Sequence, residues 1–165
     1  MKNWKEYIYI IIGTSFGLGY APIAPGTAGA LPGLGAYIII ALFTTGLLQT
    51  ILIAAVFVLS CAITIWLSPW AEGYWKKKDP GIFVTDEVAG FLGTVLLWRT
   101  PSVAKTAIWA FIITRIIDII KIPPARQLER LNGGWGILAD DLCSSLYAAV
   151  VLDVSLYFFP SVFGA

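Results

Sequence analysis

The run of residues 47–70 is the feature that most limits the folds open to this chain. It contains no Asp, Glu, Lys or Arg, and it is longer than the roughly 20 apolar residues that a helix needs to cross a bilayer. Residues 28–44 form a second run of the same character. A helix satisfies its own backbone groups and can present apolar side chains to lipid, so both runs predict membrane-spanning helices.

The composition extends this prediction to the whole chain. The 165 residues are 58% hydrophobic and 13% charged, with a mean hydropathy of +0.82. A soluble domain carries about 25% charged residues. The net charge of +1 provides no field that would attract nucleic acid. We therefore expect an integral membrane protein that forms a single domain over residues 1–165.

Apolar runs and helix breakers predict an all-α, polytopic membrane bundle of about four to five transmembrane helices. Proline and glycine interrupt residues 21–29, residues 99–102 form a turn, and Pro123 ends a helix. Residues 7–20 are short and rich in glycine, and we expect a half-inserted or surface helix there. The other helices are predicted over residues 28–44, 47–70, 85–98, 103–121 and 137–158.

Histidine and cysteine usage excludes several kinds of chemistry. The chain has no histidine, so an imidazole nucleophile, base or metal ligand is impossible. Cys61 and Cys143 both lie in apolar runs and do not form a CxxC pair, which argues against zinc binding and redox activity. Any hydrolytic chemistry therefore depends on carboxylates, Lys, Arg, hydroxyl groups or a metal ion.

The distribution of Lys and Arg predicts the orientation of the helices. Short cytoplasmic loops carry an excess of these residues. If the predicted spans alternate, one side receives only Arg99 and Lys105, and three basic groups share the other side. Those groups are Lys2 with Lys5, Lys76 with Lys77 and Lys78, and Lys121 with Arg126 and Arg130. The side with the three groups is predicted to be cytoplasmic.

Carboxylates from three predicted helices reach this cytoplasmic side. Asp86 and Glu87 begin one helix, Asp118 lies near the end of the next, and Asp140 and Asp141 lie near the start of the last. A charge inside a bilayer costs roughly 2.5–3.5 kcal/mol, and clustered carboxylates repel one another unless a cation lies among them. An all-oxygen set suits Mg²⁺, Mn²⁺ or Ca²⁺. Interfacial salt bridges are the alternative interpretation for each residue taken alone.

Basic residues and glycines beside these acids predict a phosphate site. Arg115 precedes Asp118 by three residues and Lys121 follows it by three, so all three share a helix face. Arginine binds phosphate through two parallel hydrogen bonds. Glycine-rich segments at 133–136 and 25–27 precede helices and allow backbone amides to approach an anion. The sequence thus predicts a divalent-cation and phosphate site at the level of lipid headgroups.

Four sequence blocks resemble the phosphatidylglycerophosphatase A family of bacterial membrane phosphatases. The blocks are GLGYAPIAPGTAG at 17–29, DPGIFVTDEVAG at 79–90, RIIDIIKIPP at 115–124 and GGWGILADD at 133–141. The resemblance covers residues 13–150 and implies a Mg²⁺-dependent enzyme of the bacterial inner membrane. Such an enzyme removes the terminal phosphate of phosphatidylglycerophosphate, a phospholipid. Asn132, where histidine is common in the family, and the pair Ser144-Ser145 depart from the family pattern.

The resemblance and the residue chemistry together predict the members of the site. The predicted metal ligands are Asp86, Glu87, Asp118, Asp140 and Asp141. The predicted catalytic residues are Glu87, Arg115, Asp118 and Lys121, and the predicted substrate-binding residues are Thr27, Gly26, Arg115, Lys121, Gly133 and Gly134. Glu87 is either a ligand or the base that activates water, and an attacking aspartate is the alternative to water. For Thr27 we favour a helix cap over phosphate binding.

A transporter or ion carrier is the rival class. Its intramembrane acids and Arg115 would line a pathway through the bilayer. A carrier spreads charges through the membrane depth and often contains an internal repeat, whereas the acids here cluster at one level. A phosphatidyltransferase would need aspartates spaced over successive turns. We expect Asp79 to be a loop residue and Asp153, about 20 Å along the helix from Asp140, to lie near the opposite interface.

Overall fold

Helices make up all the regular structure of residues 3–164, which are the residues that the computed structural model describes. The all-α prediction is therefore confirmed. In chain order the helices are α1 (Trp4–Gly13), α2 (Pro25–Gly29), α3 (Leu31–Phe43), α4 (Gly46–Trp75), α5 (Thr85–Leu97), α6 (Val103–Ile120), α7 (Ala125–Leu128), α8 (Gly134–Phe158) and α9 (Pro160–Phe163), with a 3-10 turn at Leu18–Tyr20.

Two helical segments are long and apolar enough to cross a membrane. They are Pro25–Phe43, which joins α2 and α3, and Gly46–Trp75, which is α4. The second segment contains the whole run of residues 47–70, and the first contains the run of residues 28–44 except Thr44. The first begins earlier than expected because Pro25 occupies the first helical turn, where its missing N–H costs no intrahelical bond. These two apolar helices indicate a membrane protein.

Helix α5 occupies the centre of the bundle and packs against α3, α4, α6 and α8. Its residues from Ala89 to Val95 are all buried. Small residues allow a close approach to α8, since a Cβ atom placed on Gly93 would lie 3.0 Å from Ser145 Oγ. Ser144 and Ser145 are both buried. The N-terminal turns of α5 and α8 are thereby brought together.

Hydroxyl hydrogen bonds connect α5 to its other neighbours. Thr64 Oγ1 on α4 donates to Thr85 Oγ1 at 3.2 Å, and Thr114 Oγ1 on α6 donates to Thr94 Oγ1 at 2.7 Å. Such bonds between helices in lipid contribute on average about 0.6 kcal/mol each. These bonds position α5 relative to α4 and α6 through uncharged side chains.

Two loops dock against each other over the start of α5. Ser15 Oγ donates to the carbonyl oxygen of Val84 at 3.2 Å, and the Val84 amide donates to the carbonyl oxygen of Gly13 at 2.9 Å. A Cβ atom on Gly19 would collide with the carbonyl of Ile82. Two of the sequence blocks, 17–29 and 79–90, are therefore in direct contact at one end of the bundle.

Candidate active site

A cavity of about 320 Å³ lies where α5 begins and α6 ends. Its walls come from α2, the loop between α4 and α5, and helices α5, α6 and α8. Polar and glycine residues that line it are Gly26, Thr27, Asp79, Gly81, Asp86, Glu87, Arg115, Asp118, Lys121 and Asp141. The structure therefore brings together most of the residues that the sequence analysis singled out.

Two carboxylates accept hydrogen bonds from the Arg115 guanidinium and fix its orientation. Arg115 is 8% exposed. Its Nη1 donates to Glu87 Oε2, and its Nη2 donates to Glu87 Oε1 and to Asp118 Oδ2, both at 3.1 Å. Its Nε is buried and has no partner among the described residues. A buried, charged N–H group in this state is costly unless an acceptor reaches it, so this donor is available for an anion.

Lys121 connects the end of α6 to α8. Its Nζ donates to Asp140 Oδ2 at 2.9 Å and to Glu129 Oε1 at 3.2 Å. Burial by itself lowers the pKa of Lys121, but the bonds to Asp140 and Glu129 outweigh it, and the pKa is raised. The lysine is therefore a permanent positive charge at the edge of the cavity.

The carboxylates exceed the cations and are incompletely paired. Among the residues that the structure describes, Asp86, Glu87, Asp118, Asp140 and Asp141 are grouped with two cations, Arg115 and Lys121. Four oxygens of these carboxylates are buried and have no hydrogen-bond partner in the described part of the chain, namely Asp86 Oδ1, Asp118 Oδ1, Asp140 Oδ1 and Asp141 Oδ2. Unpaired buried carboxylate oxygens are strongly unfavourable.

Three of these carboxylates approach closely enough to share one cation. One oxygen from each of Glu87, Asp118 and Asp141 lies within 4.8 Å of the others. Both Glu87 oxygens also accept from Arg115, but each carboxylate oxygen has a further lone pair. The donor set is all oxygen and carries excess negative charge, so it fits a hard divalent cation such as Mg²⁺.

The first turn of α2 lies against the Arg115–Glu87 ion pair. A Cβ atom on Gly26 would collide with Glu87 Oε1 and would lie 2.9 Å from Arg115 Nη2. Thr27 lines the cavity from inside α2, and the N-cap position belongs to Ala24. The prediction that Thr27 caps the helix is therefore wrong, because the helix already begins at Pro25.

Gly133 and Gly134 do not belong to the cavity lining. A Cβ atom on Gly134 would lie 2.5 Å from Ser68 Oγ and 2.6 Å from Ile65 Cα. Gly134 therefore allows the start of α8 to pack against α4. Gly133 has φ +62°, a left-handed conformation that favours glycine. The geometry accounts for both glycines through chain path and packing, and substrate binding by either stays a prediction.

Asp79 is the acidic cavity residue that the sequence analysis passed over. It lines the cavity from the loop before α5. Burial raises the pKa of Asp79, and nearby Lys121 partly opposes the rise. Its position in the DPG segment of the block at 79–90 was the available signal. Asp153, by contrast, is exposed on α8 and takes no part in the cavity lining.

These observations define a class: a helical membrane protein with a buried, oxygen-rich site suited to a cation and a phosphate. Comparison with known proteins is more specific. The chain belongs to the phosphatidylglycerophosphatase A family, whose model matches residues 11–155. Family membership identifies an enzyme, a phosphoric monoester hydrolase, and it confirms the resemblance read from the four blocks.

Three curated relatives align over most of the chain. A Bacteroides thetaiotaomicron protein described as a candidate phosphatidylinositol-3-phosphatase is 36% identical, and the alignment covers 91% of this chain and 94% of the relative. Phosphatidylglycerophosphatase A of Haemophilus influenzae is 30% identical, covering 89% and 88%. Phosphatidylglycerophosphatase A of Escherichia coli is 29% identical, covering 86% and 80%. No solved structure matches the chain.

Proposed function

We propose that the protein hydrolyses the terminal phosphomonoester of phosphatidylglycerophosphate and releases phosphatidylglycerol and phosphate. The observation that carries this proposal is the buried Arg115, which has an unpaired Nε and lines the same cavity as carboxylates with unpaired oxygens. A phosphomonoester supplies acceptor oxygens for the guanidinium, and a cation bound by the carboxylates would balance the remaining charge. Family membership supports the same activity.

Each cation of the site has a positioning partner. Glu87 and Asp118 hold the Arg115 guanidinium, so its free edge is directed before a substrate arrives. Asp140 holds Lys121 at the cavity edge. Donors fixed in this way stabilise the charge that develops on phosphoryl oxygens without reorganising during the reaction.

Mg²⁺ would be held by Asp118, Asp141 and Glu87, with Asp86 and Asp140 beside them. When bound, the ion supplies Lewis-acid polarisation of the phosphoryl group. Glu87 then has two possible assignments, as a ligand or as the base that takes a proton from the attacking water. An aspartate nucleophile is the competing assignment, and trapping of a phospho-enzyme after rapid acid quenching distinguishes it from direct attack by water.

We infer four to five spans in a bacterial inner membrane, formed by the α2–α3 segment with α4, α5, α6 and α8. Helix α5 has 13 residues, or about 20 Å, which is shorter than a hydrocarbon core of about 30 Å. The site is assigned to the cytoplasmic face because the basic groups share its side. In a variant lacking Cys61 and Cys143, an impermeant thiol reagent added outside should label a cysteine at Ser102 and spare one at Lys77 or Asn132. External labelling at Asn132 would reverse the assigned orientation.

Phosphatidylinositol 3-phosphate is a second candidate substrate, because the relative that is 36% identical is described as acting on it. Both lipids present a phosphomonoester on a membrane headgroup. The deciding assay measures phosphate release by purified protein from each lipid, with and without Mg²⁺. We expect kcat/KM to favour phosphatidylglycerophosphate by at least about tenfold. A preference for the inositol lipid would replace the proposed substrate, and no release from either would reject a lipid phosphatase.

A further inference from the structure

An apolar groove of about 310 Å³ runs between α3 and α6 on the outer surface of the bundle. Its lining consists of Leu34, Ile38, Ala107, Ile108, Phe111 and Ile112. Ile108 and Ile112 are 54% and 41% exposed, so the groove is open along its side. In a membrane this opening faces the acyl chains of lipids.

One wall of the groove continues directly into the candidate active site. Ile108, Ile112, Arg115 and Ile119 follow one another at intervals of four, three and four residues on α6, which places them on one helix face. Arg115 and Ile119 line the active-site cavity, whereas Ile108 and Ile112 line the groove. The same face of α6 therefore changes from polar to apolar within about one helical turn.

The other wall shows the same change over the same distance. Thr27 lines the active-site cavity and Leu34 lines the groove. Seven residues separate Thr27 from Leu34, and seven separate Arg115 from Ile108. Each interval corresponds to about 10 Å along a helix axis. In the chain direction, α3 runs away from the site and α6 runs towards it. The two walls of the groove therefore extend from the same site in the same direction.

We propose that the α3–α6 groove holds one acyl chain of the lipid whose phosphate occupies the active site, a proposal that rests on the proposed function. A lipid with its phosphate near Arg115 must direct its chains away from the polar end and parallel to the helices. The groove offers an apolar path in that direction, and its lining residue Ile112 lies about one helical turn from Arg115 on α6. Its occupant is therefore a substrate acyl chain rather than an unrelated partner.

The groove contributes positioning rather than hydrophobic affinity. An acyl chain leaves a medium as apolar as the groove, so its transfer provides little driving force. A chain held between two helices does, however, restrict where the glycerol and the phosphate can lie. Misplacement of a reacting group by about 1 Å can cost on the order of a hundredfold in rate. Filling the groove should therefore lower the rate on lipids that have chains.

A second apolar cavity provides a matched control. It has a volume of about 320 Å³ and lies between α3 and α4, where Leu59 and Ala36 form part of its lining. Leu59 is 58% exposed, close to the exposed fraction of Ile108. None of the residues that line this cavity also lines the α3–α6 groove. A bulky residue at Leu59 therefore adds the same volume without obstructing the proposed path.

The test compares Ile108→Trp and Leu34→Trp with the control Leu59→Trp. Values of kcat/KM are measured in detergent micelles on long-chain phosphatidylglycerophosphate and on the same headgroup without acyl chains. We expect both groove variants to lose about tenfold or more on the long-chain lipid, and to stay within about twofold of the parent on the chain-free substrate. Leu59→Trp should match the parent on both substrates.

The outcomes separate this proposal from the proposed function. Equal losses on both substrates, or parental rates on both, would overturn the acyl-chain assignment while leaving the phosphatase activity intact. Failure of the parent protein to hydrolyse the lipid would overturn the function and the groove together. If the tryptophan variants do not fold, Ile108→Ala widens the groove without adding volume. It should lower kcat/KM a fewfold on the long-chain lipid alone, and an unchanged ratio between the two substrates would reject the proposal.

Discussion

The two ends of the α6–α8 pair carry the same residue types in opposite settings. At one end Asp118 and Asp141 are 7% and 4% exposed, and Lys121 is bonded to Asp140. At the other end Asp153 is exposed, and Lys105 donates to the carbonyl oxygen of Ser161. Aspartate and lysine occur at both ends. The first end differs because α6 and α8 also bring Arg115 and the pair Asp140-Asp141 there, and because a third helix, α5, brings further carboxylates to that end only.

Removal of a metal ion from the carboxylate-rich end should produce the largest loss of activity. Chelation with EDTA is expected to reduce phosphate release to background, and added Mg²⁺ should restore it, because the unpaired carboxylate oxygens need a hard cation. Release of inorganic phosphate from phosphatidylglycerophosphate is the measurement. Full activity in excess chelator would remove the cation from the site and favour an aspartate nucleophile assisted by Arg115.

Replacement of one aspartate at each end should separate them by orders of magnitude. Asp118→Asn removes a carboxylate that bonds Arg115 and that lies within reach of a shared cation. We expect turnover to fall by about two to three powers of ten, equivalent to a few kcal/mol of transition-state stabilisation. Asp153→Asn should remain within a fewfold of the parent.

This comparison requires that both variants fold. Loss of one partner from a buried ion pair can destabilise a protein by roughly 3–5 kcal/mol. Thermal unfolding in detergent and gel-filtration profiles are therefore recorded for both proteins. Equal losses of turnover in two well-folded variants would show that the separation into a functional and a passive end is wrong.

The lysines of α6 should show the same contrast at a smaller scale. Lys121→Met removes the positive charge next to Asp140, and we expect kcat to fall by about one to two powers of ten. Lys105→Met removes only a bond to a backbone oxygen at the other end, and kcat should stay within about twofold. If Lys105→Met proved as damaging as Lys121→Met, general loss of packing would explain both results.

The smallest expected effect comes from two glycines of the α2–α3 segment. Gly26→Ala places a methyl group against the ends of Glu87 and Arg115, and these side-chain ends must shift slightly within their ion pair, so kcat/KM should fall by about tenfold. Gly35→Ala meets no atom within 4 Å and should leave activity unchanged while slightly stabilising the helix. Steady-state kinetics and unfolding temperatures of the pair test this directly.

Much of this site is accessible from sequence because charge is rare in the chain. Each acid in an apolar run is conspicuous, and helical spacing puts Arg115, Asp118 and Lys121 on one face without knowledge of the fold. Asp79 escaped the prediction because a loop residue beside three lysines resembles an ordinary surface charge. The role of Gly134 was also missed, since a glycine before a helix does not reveal that α4 lies against it.

The sequence by itself determined the all-helical class, the apolar segments and the residues available for polar chemistry, because these follow from local periodicity and from the cost of charge in lipid. Only the tertiary structure decided which carboxylates share a cavity and which carboxylate pairs with which cation. Helical spacing alone favours Asp118 as the partner of both cations. Arg115 does pair with Asp118, but it also pairs with Glu87 on another helix, and Lys121 pairs with Asp140 and Glu129 instead. The physical reason is that small residues at the α5–α8 contact set the distance between helices, and that distance is not encoded in any single segment.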